Sequence, residues 1–355
     1  MDAAEAAISV GMRELCCRLG THATSFDRCA DDLKRAAQVT LSAETLRKVV
    51  ENEGRAVLAA SADEQLEIDW SAAACTATTP EGQETSRMYV SSDGVLLPTV
   101  TAAEKLKRRR TVQDKRKKMP RKKRKRLAKL GPVKKGTDQR YKQVYVTDFY
   151  DQHQKHRLVG VTRKDHKGLG KLLKREAARV LLRGATERVG LVDGAVCLRA
   201  HLEDLPLEVI LLDFYHLSEH VKEAARKTLG EGSDACKAWV ADVLHTVRHE
   251  GYEPFFQKLL DWRSGLRGAK RKAAEKLITY ASAREEMIQY ALCEKRGWSV
   301  GTGPVESMCG VLSKRIKGQG RRWDLDNAEA VMALEALRQS GLWDQHWDKV
   351  LQQAA

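Results

Sequence analysis

The sequence lacks the features by which several large classes of protein are recognised. No uninterrupted apolar run approaches the roughly 20 residues that a membrane-spanning helix needs, and long runs such as 207–214 contain acids. The amino terminus has acids where a secretory signal would carry positive charge, and no long apolar segment follows. We therefore expect a cytoplasmic protein without a membrane partner.

Motifs for several kinds of chemistry are also missing. The eight cysteines form no CxxC pair and no zinc-type spacing, so we expect buried free thiols in a reducing compartment. The patterns GxSxG and GxxxxGK[ST] are absent, which leaves acyl transfer and ATP hydrolysis without support.

The positive charge is confined to one segment. The 355 residues carry a formal net charge of +15. Residues 105–129 contain 16 Lys or Arg and one acid, and the rest of the chain holds 47 residues of each sign. At this density we expect the segment to be disordered until phosphates neutralise it. It would serve as a DNA clamp or, alternatively, be a solvated insertion.

The length predicts about two domains, and the amino-terminal region 1–70 is predicted to be helical. Two short helices across a tight turn fit a DNA-binding helix-turn-helix or, equally, a plain helical hairpin. The composition of residues 71–86 predicts a linker and a domain boundary. The predicted helices cover residues 12–19, residues 26–37, and a segment from the N-cap Ser42 to Gly54.

The rest of the chain has an α/β pattern. Its order of strands and helices predicts a mixed sheet in residues 87–230, interrupted by a basic insertion at 104–140. Residues 231–298 predict an all-α insertion. Residues 299–355 predict carboxy-terminal helices, one of them starting in a capping box of Asp326 and Glu329. The predicted strands are 88–95, 141–149, 156–161, 188–192 and 207–213.

Three carboxylates differ from the other acids by standing at predicted element boundaries. Asp93 and Asp193 each end a strand in an Asp-Gly pair, and Glu306 begins a helix. If adjacent strands bring the aspartates together, only a bound divalent cation would hold both ionised. Two Mg²⁺ or Mn²⁺ ions about 3.5–4 Å apart can activate a water or hydroxyl and stabilise the leaving oxygen of a phosphodiester. The residues therefore favour metal-dependent phosphodiester chemistry.

A further acid and histidine, Asp213 and His216, follow the last predicted strand, and His220 comes one helical turn later. Three interpretations stay open for this group. It could be a zinc pair, which would need further ligands. It could also have a structural or DNA-orienting role, or an auxiliary catalytic role.

Residues 314–323 combine five cations, two glycines and one indole. Clustered Lys and Arg neutralise phosphates, and a Trp among them can stack on an unpaired base for about 1–3 kcal/mol. The alternative is a solvated helix end with a core Trp. The predicted DNA-binding residues are Lys314, Arg315, Lys317, Arg321, Arg322 and Trp323.

Four motifs, in order, resemble those of insertion-sequence transposases of the ISKra group. They are VSSDGV around Asp93, VDGA around Asp193, LDFYHLSEH from Leu212, and TGPVESMCGVLSKRIKGQGRRW from Thr302. The resemblance covers roughly residues 85–348.

This resemblance implies an α/β fold with an RNase H-like mixed sheet and an all-α insertion. The residues of region 1–70 predict a small helical domain in front of it. The resemblance also implies a catalytic triad of Asp93, Asp193 and Glu306 with Mg²⁺ or Mn²⁺ as cofactor. The Asp213-x-x-His216 pair resembles a signature that Mutator-like and hAT-like transposases place between the second acid and the final Glu.

The function predicted in this way is that of a DDE transposase. Such an enzyme cuts the element end with an activated water, and the freed 3′-hydroxyl then attacks target DNA. The expected partners are the terminal inverted repeats, target DNA and other copies of the chain in a synaptic complex, at the nucleoid. Two alternatives stay open, a catalytically inactive transposase-derived DNA-binding regulator and a basic RNA-binding protein.

Overall fold

The computed structural model describes residues 8–354, so the outermost residues of the predicted regions 1–70 and 299–355 lie outside it. A six-stranded mixed sheet forms the centre, in the order β4-β3-β2-β5-β6, with β1 paired to β2. β2, β3 and β4 are antiparallel, whereas β5 and β6 run parallel to β2. The predicted mixed α/β class is confirmed. The strands are β1 (Thr76–Thr78), β2 (Glu84–Pro98), β3 (Tyr141–Asp151), β4 (Arg157–Thr162), β5 (Glu187–Val192) and β6 (Val209–Leu212).

Helices make up most of the remaining described chain. None of those in residues 8–354 combines the length and apolar character needed to cross a bilayer. The chain is helical from α8 to α12, as predicted. The helices are α1 (Val10–His22), α2 (Phe26–Ala37), α3 (Ala43–Ala62), α4 (Ala102–Lys117), α5 (Arg121–Lys125), α6 (His166–Arg179), α7 (Val196–Glu203), α8 (Phe214–Leu229), α9 (Asp234–His245), α10 (Tyr252–Ser264), α11 (Gly268–Ser282), α12 (Tyr290–Arg296), α13 (Gly303–Ser313), α14 (Leu325–Gln339) and α15 (Trp343–Ala354).

The central strand β2 is longer than predicted, and Asp93 does not end it. β3 pairs with β2 as far as Pro98, and this pairing keeps the chain extended through the Asp-Gly pair. The parallel pairing with β5 stops earlier, at Ser91 and Leu191. Asp93 therefore lies where β2 extends beyond β5.

The amino-terminal helices pack on the carboxy-terminal part of the chain. Ser42 caps α3 as predicted, by accepting a hydrogen bond from the amide of Thr45. Gly54 does not end this helix, which was a wrong prediction. A Cβ on Gly54 would lie 2.1 Å from the carbonyl oxygen of Ala330 in α14, so the missing side chain permits a close approach of α3 and α14. A DNA-binding role for α2 and α3 stays a prediction.

Residues 71–86 are not the unstructured linker that their composition predicted. A 3₁₀ turn at Ala72–Ala74 leads into a hairpin of β1 and the start of β2. The small side chains of Ala72, Cys75 and Ala77 are buried. These side chains are short enough to pack beneath a tight turn. The composition of the segment alone did not reveal this packing. The domain boundary there stays a prediction.

The predicted capping box at α14 is also wrong. Asp324 occupies the N-cap position, and Asp326 lies within the first turn. Glu329 instead accepts hydrogen bonds from the backbone amide of Arg163, at 2.8 Å, and from its guanidinium, at 2.7 Å. The carboxylate therefore pairs with the end of β4 rather than with its own helix.

Residues 102–136, which we call the basic arm, are ordered rather than disordered. Thr101 and Glu104 form a capping box that begins α4. Side chains of α4 then donate to carbonyl oxygens of the returning chain, which lies alongside. No residue of α4 or α5 is buried, so the arm exposes its charge to solvent. The bonds join Lys105 to Lys135, Arg109 to Leu130 and Arg116 to Ala128.

Candidate active site

The two aspartates singled out in the sequence lie on adjacent strands at the same level. Ser91 of β2 pairs with Leu191 of β5, and Asp93 and Asp193 each follow two residues later. The pairing of β2 with β5 thus meets the condition under which the sequence would bring the two aspartates together. Because β2 and β5 are parallel, both acids lie towards the carboxyl edge of the sheet, where α/β folds place their ligands.

The third acid, Glu306, reaches the same place from the first turn of α13. Asp93, Asp193 and Glu306 line one open pocket of about 320 Å³. His216, which the sequence also singled out, lines it as well, and so does Tyr215, which it did not. Residues far apart in the chain thus form one acidic pocket.

The environment of Asp93 disfavours its charged form. Burial raises its pKa, and the negative charges of Asp193 and Glu306 raise it further. Two hydrogen bonds act in the opposite direction, one from the amide of Gly94 at 2.6 Å and one from the thiol of Cys309. A cation bound in the pocket would relieve the repulsion that these donors only partly offset.

Asp213 is buried beside the pocket and caps α8. It accepts hydrogen bonds from the amide of His216, at 2.8 Å, and from the hydroxyl of Thr302, at 2.6 Å. Burial raises the pKa of Asp213, but the hydrogen bonds from Thr302 and His216 together hold it below its usual value. Asp213 therefore stays ionised at neutral pH.

Thr302 connects this acid to the third one. Its hydroxyl oxygen also lies 2.8 Å from Oε1 of Glu306. A hydroxyl has one proton and can donate to only one of the two carboxylates at a time.

Ligand atoms of Asp213, His216 and Glu306 lie within 4.8 Å of one another, close enough to hold one metal ion. The third ligand of this group is Glu306 rather than His220. The His220 ring packs on the Tyr280 ring, with centroids 3.8 Å apart. Among the described residues, no group of three or more metal-ligand side chains contains both His216 and His220, so the zinc pair gains no further ligand there.

The helical segment α8–α12 contacts the acid site through residues that sequence reasoning missed. Gly194 follows Asp193 with φ +90°, a conformation that favours glycine. A Cβ there would lie 2.9 Å from Nε of Arg284 and from the hydroxyl of Tyr280. Arg284 also donates to the carbonyl oxygen of Gly194 at 2.8 Å. Glycine is thus needed at this turn for its backbone conformation and for close packing, and only the Asp-Gly pair signalled it.

Two of the predicted DNA-binding residues have structural contacts instead. Arg315 and Trp323 are both buried. The guanidinium of Arg315 lies 4.6 Å from the ring centroid of Phe26 and 5.1 Å from that of Trp323, and it donates to the carbonyl oxygen of Gly20. Burial lowers the pKa of Arg315 to about 10. Base stacking by Trp323 was a wrong prediction, because its ring is buried and packs on Phe26 of α2.

The other predicted cations are more accessible. Lys314, Lys317 and Arg322 are exposed, and Arg321 is half-buried. The positive charge of Lys317 lowers the pKa of the Cys309 thiol, against the stronger effect of burial.

The chain around Arg322 and Asp324 is attached to the basic arm. Arg322 forms an ion pair with Glu104, and Lys105 forms one with Asp324 at 2.6 Å. The start of the arm is therefore held beside the connection between α13 and α14.

The cysteines largely follow expectation, since all except Cys197 are buried. A second group with metal-ligand atoms, Cys75, Asp151 and His156, lies at the opposite end of the sheet. Asp151 there accepts hydrogen bonds from the amides of the β3–β4 turn and from the His156 ring. These contacts explain the group as the cap of a hairpin.

No model of a known protein family matches the chain, and no curated protein matches it significantly. The chemistry of the acid pocket therefore carries the functional argument. Its donors are carboxylates and hydroxyls, with one imidazole at the side. Such a set suits a hard divalent cation.

Proposed function

We propose that the protein is a metal-dependent DDE transposase with an RNase H-like core. It would cleave the ends of a DNA element and transfer the freed 3′-hydroxyl to target DNA. The observation that supports this proposal best is the meeting of Asp93, Asp193 and Glu306 in one pocket. The order of motifs that resembles ISKra-group transposases supports the same assignment.

The residues of the pocket suit Mg²⁺ or Mn²⁺. Asp93, Asp193 and Glu306 would be the ligands, and two bound ions would supply the activation of the nucleophile and the stabilisation of the leaving oxygen. The thiol of Cys309 would orient Asp93 by donating a hydrogen bond to its carboxylate. Thr302 and the buried Asp213 hold the first turn of the Glu306 helix against α8.

The distribution of positive charge supports a nucleic acid as the substrate. The basic arm exposes its cations to solvent, and the charge of Lys317 acts on Cys309, which interacts with Asp93. Phosphates bound by these side chains would release counterions, which gives affinity without sequence preference. The acids would then act on the phosphodiester backbone of the nucleic acid, which the cations hold in place.

The test is cleavage of a DNA duplex that carries the inverted repeats flanking the gene, in Mg²⁺ or Mn²⁺. We expect Asp93→Asn, Asp193→Asn and Glu306→Gln each to abolish cleavage and to retain DNA binding. Asp234→Asn is the matched control, because this carboxylate is fully exposed on α9, outside the pocket. It should cleave like the wild type.

Full cleavage by any of the three pocket variants would refute the assignment of the triad. A regulator derived from a transposase would bind the repeats without cutting them and would not need the acids. A basic RNA-binding protein would bind unrelated RNAs with equal affinity and a steep salt dependence.

A further inference from the structure

Tyr215 exposes an aromatic ring in the acid pocket. Its side chain is 67% exposed, and it lines the pocket together with Asp93, Asp193 and Glu306. Among the described residues, the only other aromatic side chain exposed to a similar degree is Tyr141, at 58%. Tyr141 begins β3 and does not line the pocket.

The ring is held in place by its surroundings. Tyr215 lies in the first turn of α8, whose cap Asp213 is buried and bound by Thr302. The Phe214 amide donates to the carbonyl oxygen of Val300 at 2.9 Å, which joins this turn to the chain before α13. The Phe214 ring meets the Tyr215 ring edge-on, with centroids 5.9 Å apart.

One side of the Tyr215 ring lies against Gly301. A Cβ at Gly301 would come within 3.1 Å of Cε2 of the ring, so the glycine leaves room for this contact. The position of the ring is thus set before any ligand binds, and much of its surface stays in solvent. A pre-positioned ring loses little conformational entropy when a planar group stacks on it.

We propose that Tyr215 is a stacking site for an unpaired DNA base next to the phosphodiester held at the acid pocket. The inference rests on the proposed function, since it takes DNA as the substrate. Within a duplex the faces of a base are covered by its neighbours, so a ring at this position can stack only on a base that has left the helix. Trp323, for which we predicted this role from the sequence, is buried and has no free face.

The test is a binding cycle with single-stranded probes, measured by fluorescence anisotropy. Oligo(dT) offers an unpaired base at every position, and an abasic strand of the same length offers the same phosphates without bases. Ca²⁺ replaces Mg²⁺, so that the experiment reports binding alone. We expect Tyr215→Ala to weaken oligo(dT) binding about 5- to 100-fold, the range for loss of one stacked base, and to leave binding of the abasic strand unchanged.

Two variants control the interpretation. Tyr215→Phe keeps the ring and should bind oligo(dT) like the wild type. Tyr141→Ala removes the other exposed tyrosine and should change neither affinity. Thermal unfolding of each variant checks the fold, which these exposed positions should not disturb.

Equal oligo(dT) affinity of Tyr215→Ala and the wild type would overturn the proposal. An equal loss on both strands would overturn it too, because the effect would then not depend on a base. The binding measurements need no cleavage, so they stay informative if the wild type proves unable to cut DNA. A wild type that cannot cut DNA would refute the proposed enzyme activity and not the stacking site.

Discussion

At the scale of single residues, Cys309 contacts one of the three pocket acids. It lies one turn after Glu306 on α13, and its thiol donates to Asp93 of β2. Burial and the charge of Asp93 raise the pKa of this thiol, so it stays protonated and remains a donor. The sequence indicated only a buried cysteine at this position.

Replacing Cys309 with Ala should weaken metal-dependent cleavage. Loss of a hydrogen bond to a charged group costs about 1.5–3 kcal/mol, so we expect about a tenfold higher metal concentration for half-maximal cleavage. Cys309→Ser keeps a donor and should need less additional metal. The measurement is a titration of cleavage rate with Mg²⁺.

A matched control is Cys293→Ala, which removes a thiol of similar burial that donates to the carbonyl oxygen of Gln289. It should lose stability and keep the wild-type metal requirement. An unchanged metal requirement in Cys309→Ala would contradict a positioning role for the thiol.

At the scale of elements, the basic arm shows how tertiary contacts order a segment that its charge alone would disorder. The capping box starts α4, and backbone carbonyls of the returning chain accept hydrogen bonds from its cations. Ion pairs of Lys105 and Arg322 attach the start of the arm near α13. The short helix α5 (Arg121–Lys125) remains exposed.

Replacing the five cations of α5 by Gln should lower the salt dependence of DNA binding. Each phosphate contact contributes about 0.9 to the magnitude of the slope of log affinity against log salt, so this magnitude should fall by up to about 4.5. The measurement is DNA affinity across a salt series.

The control removes the same charge elsewhere, at five exposed cations in and next to α11, and should change the slope much less. If both variants lower the slope equally, the arm is not a preferred contact for DNA. The control positions are Arg267, Lys270, Arg271, Lys272 and Lys276.

At the scale of the whole molecule, the amino-terminal helices share a hydrophobic core with part of the sheet. Buried residues of α1, α2 and α3 belong to the same hydrophobic cluster as α14 and sheet residues such as Val90 and Val146. Residues 328–337 of α14 are buried without interruption, as expected for a helix enclosed on several sides. The close contact of Gly54 with Ala330 lies in the middle of this packing.

Gly54→Ala should therefore destabilise the whole protein. The added methyl group would collide with the Ala330 backbone, and overpacking of this kind costs about 1–3 kcal/mol. Gly11→Ala is the control, because a Cβ there meets nothing within 4 Å on the exposed side of α1. Chemical denaturation should show a lower midpoint for Gly54→Ala and an unchanged or higher one for Gly11→Ala. Equal midpoints would contradict the close packing of α3 and α14.

The sequence by itself determined the main elements and the three acids. The strands around Asp93 and Asp193, the helix of Glu306 and the helical stretch from α8 to α12 follow from local apolar spacing, which reports directly on local structure. It could be expected that Asp93 and Asp193 lie at the same level of the sheet, since both follow similar short apolar segments.

Only the tertiary structure decided how long β2 is, how the basic arm is ordered, and which aromatic ring faces the pocket. These features depend on partners far away in sequence: β3 extends β2 past Asp93, the amino-terminal helices bury Trp323, and Gly301 makes room for Tyr215. Local patterns carry no information about such partners, because each contact requires the whole chain to fold. The sequence thus indicated the three acids of the pocket, and the packing decided which residues surround them.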